Sequence, residues 1–267
     1  MILINVLAMV AVAAAVVVAM LGSETGALDR AAIFRDGAQA LAVARGGELT
    51  AIAALRRDLV TGPDSDDATE AWARVAQATT PIAGGSFTLR IADAQARFNI
   101  NDAAAMGEPV LASLAAALGL PTDVASRIAR SLAERGRVNG VGELARAGLD
   151  DAALAHLHAL VTALPAVAPI NVNAASPEML GILVGDPVGG RILADRRDRA
   201  GKLVPDDFTA TNLRLPPGAG FTSNHFVVTT TVVQGTVSVT LTSLIERRRG
   251  PQPAVVTIAR WIGPPPG

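Results

Sequence analysis

The chain opens with MILINVLAMVAVAAAVVVAML, an apolar run in which Asn5 is the lone polar side chain. A run of about 20 apolar residues meets the length of a membrane-crossing helix. Gly22-Ser23-Glu24 follow, and Glu24 is the first charge. A secretory signal peptide would show a basic segment in front and a shorter apolar stretch. Neither is present. The positive-inside rule looks for Lys or Arg on the cytoplasmic flank, yet Arg30, Arg35 and Arg45 all come after the run. A basic leader once ahead of Met1 would account for that. The expectation is a retained membrane helix.

Helical spacing continues beyond the run. From Leu28 onward, Phe34, Ala38, Leu41, Leu49, Ile52 and Leu59 recur at gaps that predict one apolar face, while Arg30, Arg35, Arg45, Glu48 and Arg56 fill the remainder. Gly46-Gly47 is a weak spot, at roughly 1 kcal/mol per Gly relative to Ala. Thr61-Gly62-Pro63 ends the pattern. One helix of roughly 55 residues is predicted, on the order of 80 Å long, half in lipid and half amphipathic.

The remaining residues divide into two kinds. Pro63 to Thr80 read as an acidic loop with a helical piece around Glu70-Ala71-Trp72-Ala73. After Gly84-Gly85, Phe87, Leu89 and Ile91 alternate with Ser86, Thr88 and Arg90, the period of a half-buried strand. From 103 to about 210, short helical patterns are separated by turn signals. Leu111, Leu114, Ala115 and Leu118 share a face closed by Gly119; Pro121-Thr122-Asp123 opens a second helix, Val141-Gly142-Glu143-Leu144 a third, and Asp150-Asp151 caps a fourth. Ser176-Pro177-Glu178 begins a fifth with Ser at the N-cap and Pro at N1. Gly190 to Arg199 is the sixth. Three β-branched runs follow: HFVVTTTVV, TVSVTLTSLIER and AVVTIARWI, the first two joined by a hairpin turn at Gln234-Gly235.

One strand before the helical module and three after it imply an α+β fold: a long N-terminal helix packed on an antiparallel sheet, with an all-α domain inserted into it. The predicted parts are a transmembrane half at 1–22, a first sheet-domain part at 23–102, the insert at 103–221, the remaining strands at 222–262 and a flexible tail at 263–267.

Composition narrows the chemistry. The 267 residues carry 23 basic and 24 acidic side chains, a net charge of -1, without the basic face that grips nucleic acid. Cysteine is absent, which removes disulfides and Cys-based zinc or nucleophile chemistry. No G-x-S-x-G, Rossmann or P-loop pattern occurs. His156 and His158 lie two apart, on different helix faces, and read as surface histidines. Asp64-Ser65-Asp66-Asp67 lacks the spacing of an EF-hand and reads as a solvated acidic loop. Arg191, Arg196, Arg197, Arg199 and Lys202 are interleaved with Asp195 and Asp198, a charge-balanced helix surface. Glu246-Arg247-Arg248-Arg249 reads as a solvated turn that blunts a strand edge. Catalytic residues are not expected, and neither is an enzyme.

Three stretches combine into a resemblance. ARFNIND at 96–102 is similar to a G-R-F-N-L-N signature, PINVNAASPEMLGIL at 169–183 to I-N-V-N-T-A-P-x-x-L, and EAWA at 70–73 to an E-P-W-A element. With the N-terminal run and the S-N-H-F-V-V strand, the chain resembles the general secretion pathway protein K family, the large minor pseudopilins of type II secretion. Ala71 stands where Pro is usual and Ala96 where Gly is usual. The resemblance implies a pilin-like fold with a SAM-like, helix-hairpin-helix-like insert, an inner-membrane anchor and a periplasmic globular part. It implies a leader removed by prepilin peptidase, which would make Met1 the N-methylated mature terminus. It implies a non-catalytic tip subunit that helps to initiate the pseudopilus for export of folded proteins. Its expected partners are the other minor pseudopilins, the major pseudopilin, the inner-membrane secretion platform and the bilayer, with no nucleic acid. No cofactor is required; calcium binding occurs in the family, with no ligands assignable here.

Counted from Met1, position 5 is Glu in most pilin-like proteins, where its carboxylate can neutralise a neighbour's terminal amine in lipid. Asn5 cannot make that ion pair, which fits a subunit with nothing above it. Asn99, Asn101, Asn171 and Asn173 read as structural, replacing backbone partners at the two crossings between sheet domain and insert. Two alternatives remain: a minor pilin of a type IV pilus or competence system, and a membrane-anchored helix-hairpin-helix DNA-binding protein. Against the latter, Val184-Gly185-Asp186-Pro187 places an anion and a residue without N–H in the hairpin.

Overall fold

The computed structural model describes residues 2–75, 78–103 and 108–264; Met1 and the last residues of the tail lie outside them. Helix α1 runs unbroken from Ile2 to Thr61, 60 residues and about 90 Å at 1.5 Å per residue. Its segment Ile2–Met20 is covered by nothing in the chain and is, among the described residues, the one helix long and apolar enough to cross a membrane. Gly46-Gly47 does not interrupt it.

Among the described residues nine strands follow in chain order: β1 (Thr80–Ile82), β2 (Gly85–Asp93), β3 (Phe98–Asn99), β4 (Val161–Thr162), β5 (Ile170–Asn171), β6 (Ala219–Gly220), β7 (His225–Gln234), β8 (Val237–Arg248) and β9 (Ala254–Ile262). The main sheet has the order β1-β2-β7-β8-β9 and is antiparallel throughout. The chain leaves it after β2 and returns at β7, so β2 and β7 are neighbours in space across the whole helical module. The β7–β8 turn is Gly235-Thr236, closed by Gln234 and Val237, one residue beyond the expected pair. Gly235 takes φ 55°, which suits glycine at the first central position of a type II′ hairpin turn.

The distal part of α1 lies on this sheet, but through a different face from the one its bulky residues predict. Ala40, Ala44, Gly47, Ala51 and Leu55 form the buried stripe, with Ile52 beside it. Phe34 and Leu49 are 77% and 63% exposed. The reason is close approach: a Cβ on Gly47 would fall against the Thr230 side chain of β7. A helix drawn that near to a sheet needs small residues at the contact, and its large ones are left facing outward.

The insert is a bundle of short helices over Glu108–Ala117, Val124–Arg135, Asp151–Leu160, Pro177–Val184 and Pro187–Ala200. The segment Val141–Ala147 is a 3-10 helix, and Pro205–Ala210 adds a short helix that hydrophobic spacing does not signal. The predicted caps are in place. Asp150 accepts from Ala153 N–H, and Ser176 from Met179 N–H, with Pro177 opening the helix. A separate core, including Leu114, Ile128, Leu144, Leu160, Leu180 and Phe208, holds these helices, and it draws in Phe98 and Ile100 from the stretch just after β2. Glu70-Ala71-Trp72-Ala73 forms a turn, not a helix.

Candidate functional site

The buried polar chemistry of this chain gathers where α1 ends, the sheet domain stops and the insert begins. Three segments build that junction: the outbound crossing after β2, the stretch 164–173 inside the insert, and the loop 62–75.

The first Asn pair ties the outbound strand to the insert. Asn99 accepts from Leu164 N–H at 2.9 Å and donates to the Ala166 carbonyl at 3.0 Å. Asn101 donates to the carbonyls of Val138 and Leu164 at 2.9 and 3.0 Å and accepts from Val138 N–H at 2.9 Å. Next to them, Asp102 accepts from Ala168 N–H at 2.8 Å. The second pair lies within the insert and not at a crossing, and its Asn171 reaches back to the sheet domain at Ser223. Asn171 is fully buried and its amide donates to the Asp66 carbonyl, Asp93 Oδ2 and Ser223 Oγ at 2.9, 2.8 and 3.1 Å. Asn173 accepts from Leu203 N–H at 2.6 Å. An amide presents a donor and an acceptor together, so one side chain can satisfy an irregular backbone segment from both sides. Gln95 adds a fifth amide, accepting from Asn224 N–H at 2.6 Å and donating to the Pro169 carbonyl at 2.7 Å.

Beside these amides lies a charged cluster that sequence reading placed in solvent. Asp66 and Asp67 are buried, and Arg247 is 0% exposed. Its guanidinium bridges Asp58 of α1 and Asp66 of the loop, donates to the Ser223 carbonyl at 2.6 Å and lies 4.8 Å from the centre of the Phe226 ring. Arg249 reaches Asp66 at 3.3 Å. Trp72 packs edge-on against the same Phe226 ring at 5.0 Å, and its indole N–H donates to Glu70 at 2.7 Å. Burial, with Asp58 and Asp66 close by, pushes the Glu70 carboxyl up to about 8. Burial raises Asp93 to about 6 against the opposing bonds from Ser223, Asn171 and Gln95 N–H. A run of three Arg after a strand looks like solvated edge because the register decides which one turns inward. Strand alternation puts Arg247 in and leaves Arg248 out.

Carboxylate oxygens of Asp58, Asp66 and Glu70 lie within 4.8 Å of one another. They do not fit calcium as they stand. Calcium takes six to eight oxygen ligands, and two of these three carboxylates already hold the Arg247 guanidinium.

A second buried acid sits farther back along α1. Glu48 accepts from Ser243 at 2.5 Å, Thr257 at 2.9 Å and Arg260 at 2.7 Å, joining α1 to β8 and β9. Burial alone would raise its carboxyl, but the bonds from Arg260, Ser243 and Thr257 outweigh it and its pKa is lowered.

Asn5 lies on the exposed face of the lipid-length segment. His156 is exposed and His158 half-buried; His225 is the buried histidine, and its burial lowers its pKa. In the hairpin between Pro177–Val184 and Pro187–Ala200, Asp186 accepts from Val188 N–H at 2.8 Å. That is a donor a phosphate-binding hairpin would present outward. The two helices there touch glycine to glycine, at Gly181 and Gly190.

No family model matches the chain. It is 30% identical to type II secretion system protein K of Pseudomonas aeruginosa, over 84% of this chain and 81% of that protein. The crystal structure of the GspK-GspI-GspJ complex from the enterotoxigenic Escherichia coli type 2 secretion system contains a chain that matches with a TM-score of 0.69 and 22% identity, covering 88% of this chain and 99% of that one. The shared fold is the long helix, the antiparallel sheet and the helical insert.

Proposed function

Because the chain belongs to the type II secretion system protein K family, a family of minor pseudopilins, we propose that it is a non-catalytic subunit that caps the tip of the pseudopilus and helps to start its assembly. One observation carries the tip reading. Residues 2–23 contain no Asp or Glu, so the membrane segment has no carboxylate with which to neutralise the amine of a subunit stacked above it. An unpaired charge in lipid is expensive. Asn5, the single polar side chain of residues 2–21, can hydrogen-bond but cannot cancel a charge.

The placement of the insert supports the same reading. It attaches through Asn171 and Asp66 just beyond the end of α1, at the pole opposite the lipid-length segment. Bulk at that pole suits the last subunit of a filament. The segment Ile2–Met20 serves as a single-pass inner-membrane anchor, with the sheet and insert in the periplasm. The solved GspK relative is in complex with GspI and GspJ; for this chain the corresponding partners are two other minor pseudopilins, met through the outward face of α1. The major pseudopilin, the inner-membrane platform and prepilin peptidase complete the partner set.

Co-expression of the full chain with the other minor pseudopilins of its own secretion system tests the partner reading. A complex that survives detergent extraction is expected. Introducing charge at the exposed positions, Phe34→Asp with Leu49→Arg, should remove the partners while leaving the fold intact, since the two residues are 77% and 63% exposed. Undiminished capture of the partners by that variant would contradict a helix-mediated assembly.

A further inference from the structure

The junction holds more buried acid than base. Two guanidiniums, Arg247 of β8 and Arg249 just after it, face Asp58 at the end of α1 and Asp66 and Glu70 of the loop 62–75. Asp67 of the same loop and Asp93 of β2 are buried beside them. Arg57 of α1 lies across a cavity of about 260 Å³, which is walled by Ala54, Asp58, Pro63, Glu70 and Val75. Arg247 is committed to Asp58 and Asp66, and among the described residues Glu70 takes part in no ion pair. That carboxyl is 8% exposed and accepts two hydrogen bonds, from Asp67 N–H at 3.0 Å and from the Trp72 indole at 2.7 Å. Both donors belong to its own loop. Toward α1 it meets the Asp58 carboxylate.

We propose that the junction is a proton-operated clasp: a proton on Glu70 lets the loop 62–75 close against Asp58 of α1, and its loss drives the loop away from the helix. The step is a simple ionisation. The O–H bond of the Glu70 carboxyl breaks, the proton leaves to water through the neighbouring cavity, and the electron pair stays on the carboxylate. Two adjacent carboxylates in low dielectric then repel. The motion pulls on Asp66 of the same loop and so loads its pair with Arg247. The loop carries the Asp66 carbonyl that holds Asn171, which puts the seat of the insert under the same control. The consequence is a globular head whose set against its anchor helix depends on pH. The clasp stands whether or not the chain occupies a pseudopilus tip.

Trp72 is the reporter, since its indole bonds to Glu70 itself. The chain has two Trp, so the full-length protein with Trp261→Phe, in detergent or nanodiscs, reads Trp72 alone. Its emission should shift red, and acrylamide quenching should rise, in one transition centred near pH 8. Glu70→Gln should abolish the transition and match the parent at acid pH, where both hold a neutral group. Asp58→Asn should move the midpoint to lower pH by removing the repelling charge. Constant emission through neutral and alkaline pH would overturn the clasp. So would an unchanged transition in the folded Glu70→Gln variant.

Discussion

Arg247 and Glu48 are both buried-charge devices, and their surroundings make them unequal. Arg247 has no exposure and holds two buried acids; Arg260, the partner of Glu48, is 56% exposed at its side chain. Breaking a buried pair by removing one member costs about 3–5 kcal/mol, because the other charge stays behind unpaired. Arg247→Ala is therefore expected to cost about 3–5 kcal/mol and Arg260→Ala less, because Glu48 keeps its bonds from Ser243 and Thr257, as urea midpoints would record.

The pH dependence has its sign set at the same scale. Glu70 is raised from 4.5 to about 8, so its contribution is full below pH 4.5 and is lost as pH rises through 8. Asp93, raised from 3.8 to about 6, behaves the same way over its lower window. Glu48 is lowered, so its contribution is present above 4.5 and is lost as pH falls through its folded value. Melting temperature should fall from pH 6 to beyond pH 8, and Glu70→Gln should remove that decline. A melting curve of the Gln variant that still falls through pH 8 would contradict the assignment.

At the scale of elements, most of the fold was legible in the sequence. The helix end at Thr61, the strand alternation at Leu89 and Ile91 and the capped helix starts at Asp150 and Ser176 are local signals, and local signals survive folding. The contact face of α1 was not legible, because a count of apolar residues gives more weight to Phe34 and Leu49 than to Ala44 and Gly47. How near the helix comes to the sheet is decided by the packed pair, not by either partner alone. Burial of Asp66 and Arg247 was hidden for the same reason: the two are distant in sequence and share one site. The Asn signatures were visible as a pattern, but which carbonyls they hold was not. The two adjacent glycines make a sharp test. Gly46→Ala meets nothing within 4 Å and should stabilise by up to about 1 kcal/mol through helix propensity. Gly47→Ala meets Thr230 and should destabilise by about 1–3 kcal/mol as overpacking, relieved in part by Thr230→Ala. Equal thermal shifts for the two single variants would contradict the close approach.

The whole molecule is a shaft with a head. The shaft is one helix, apolar where lipid would surround it and outward-facing apolar at Phe34 and Leu49 beyond. The head is a sheet seated on small residues of the shaft, with a helical module bolted to its far end by buried amides. Its central property is polarity: a lipid segment without a carboxylate at one pole and the bulky insert at the other. In the proposed tip position such a subunit has neighbours below and beside it, and its membrane segment has no carboxylate to offer a neighbour above. The most direct measurement is labelling of this subunit on isolated pseudopilus filaments, through an epitope carried on the insert and viewed by immunogold electron microscopy. Label confined to one filament end is the predicted result. Label spread along the filament length would contradict the account.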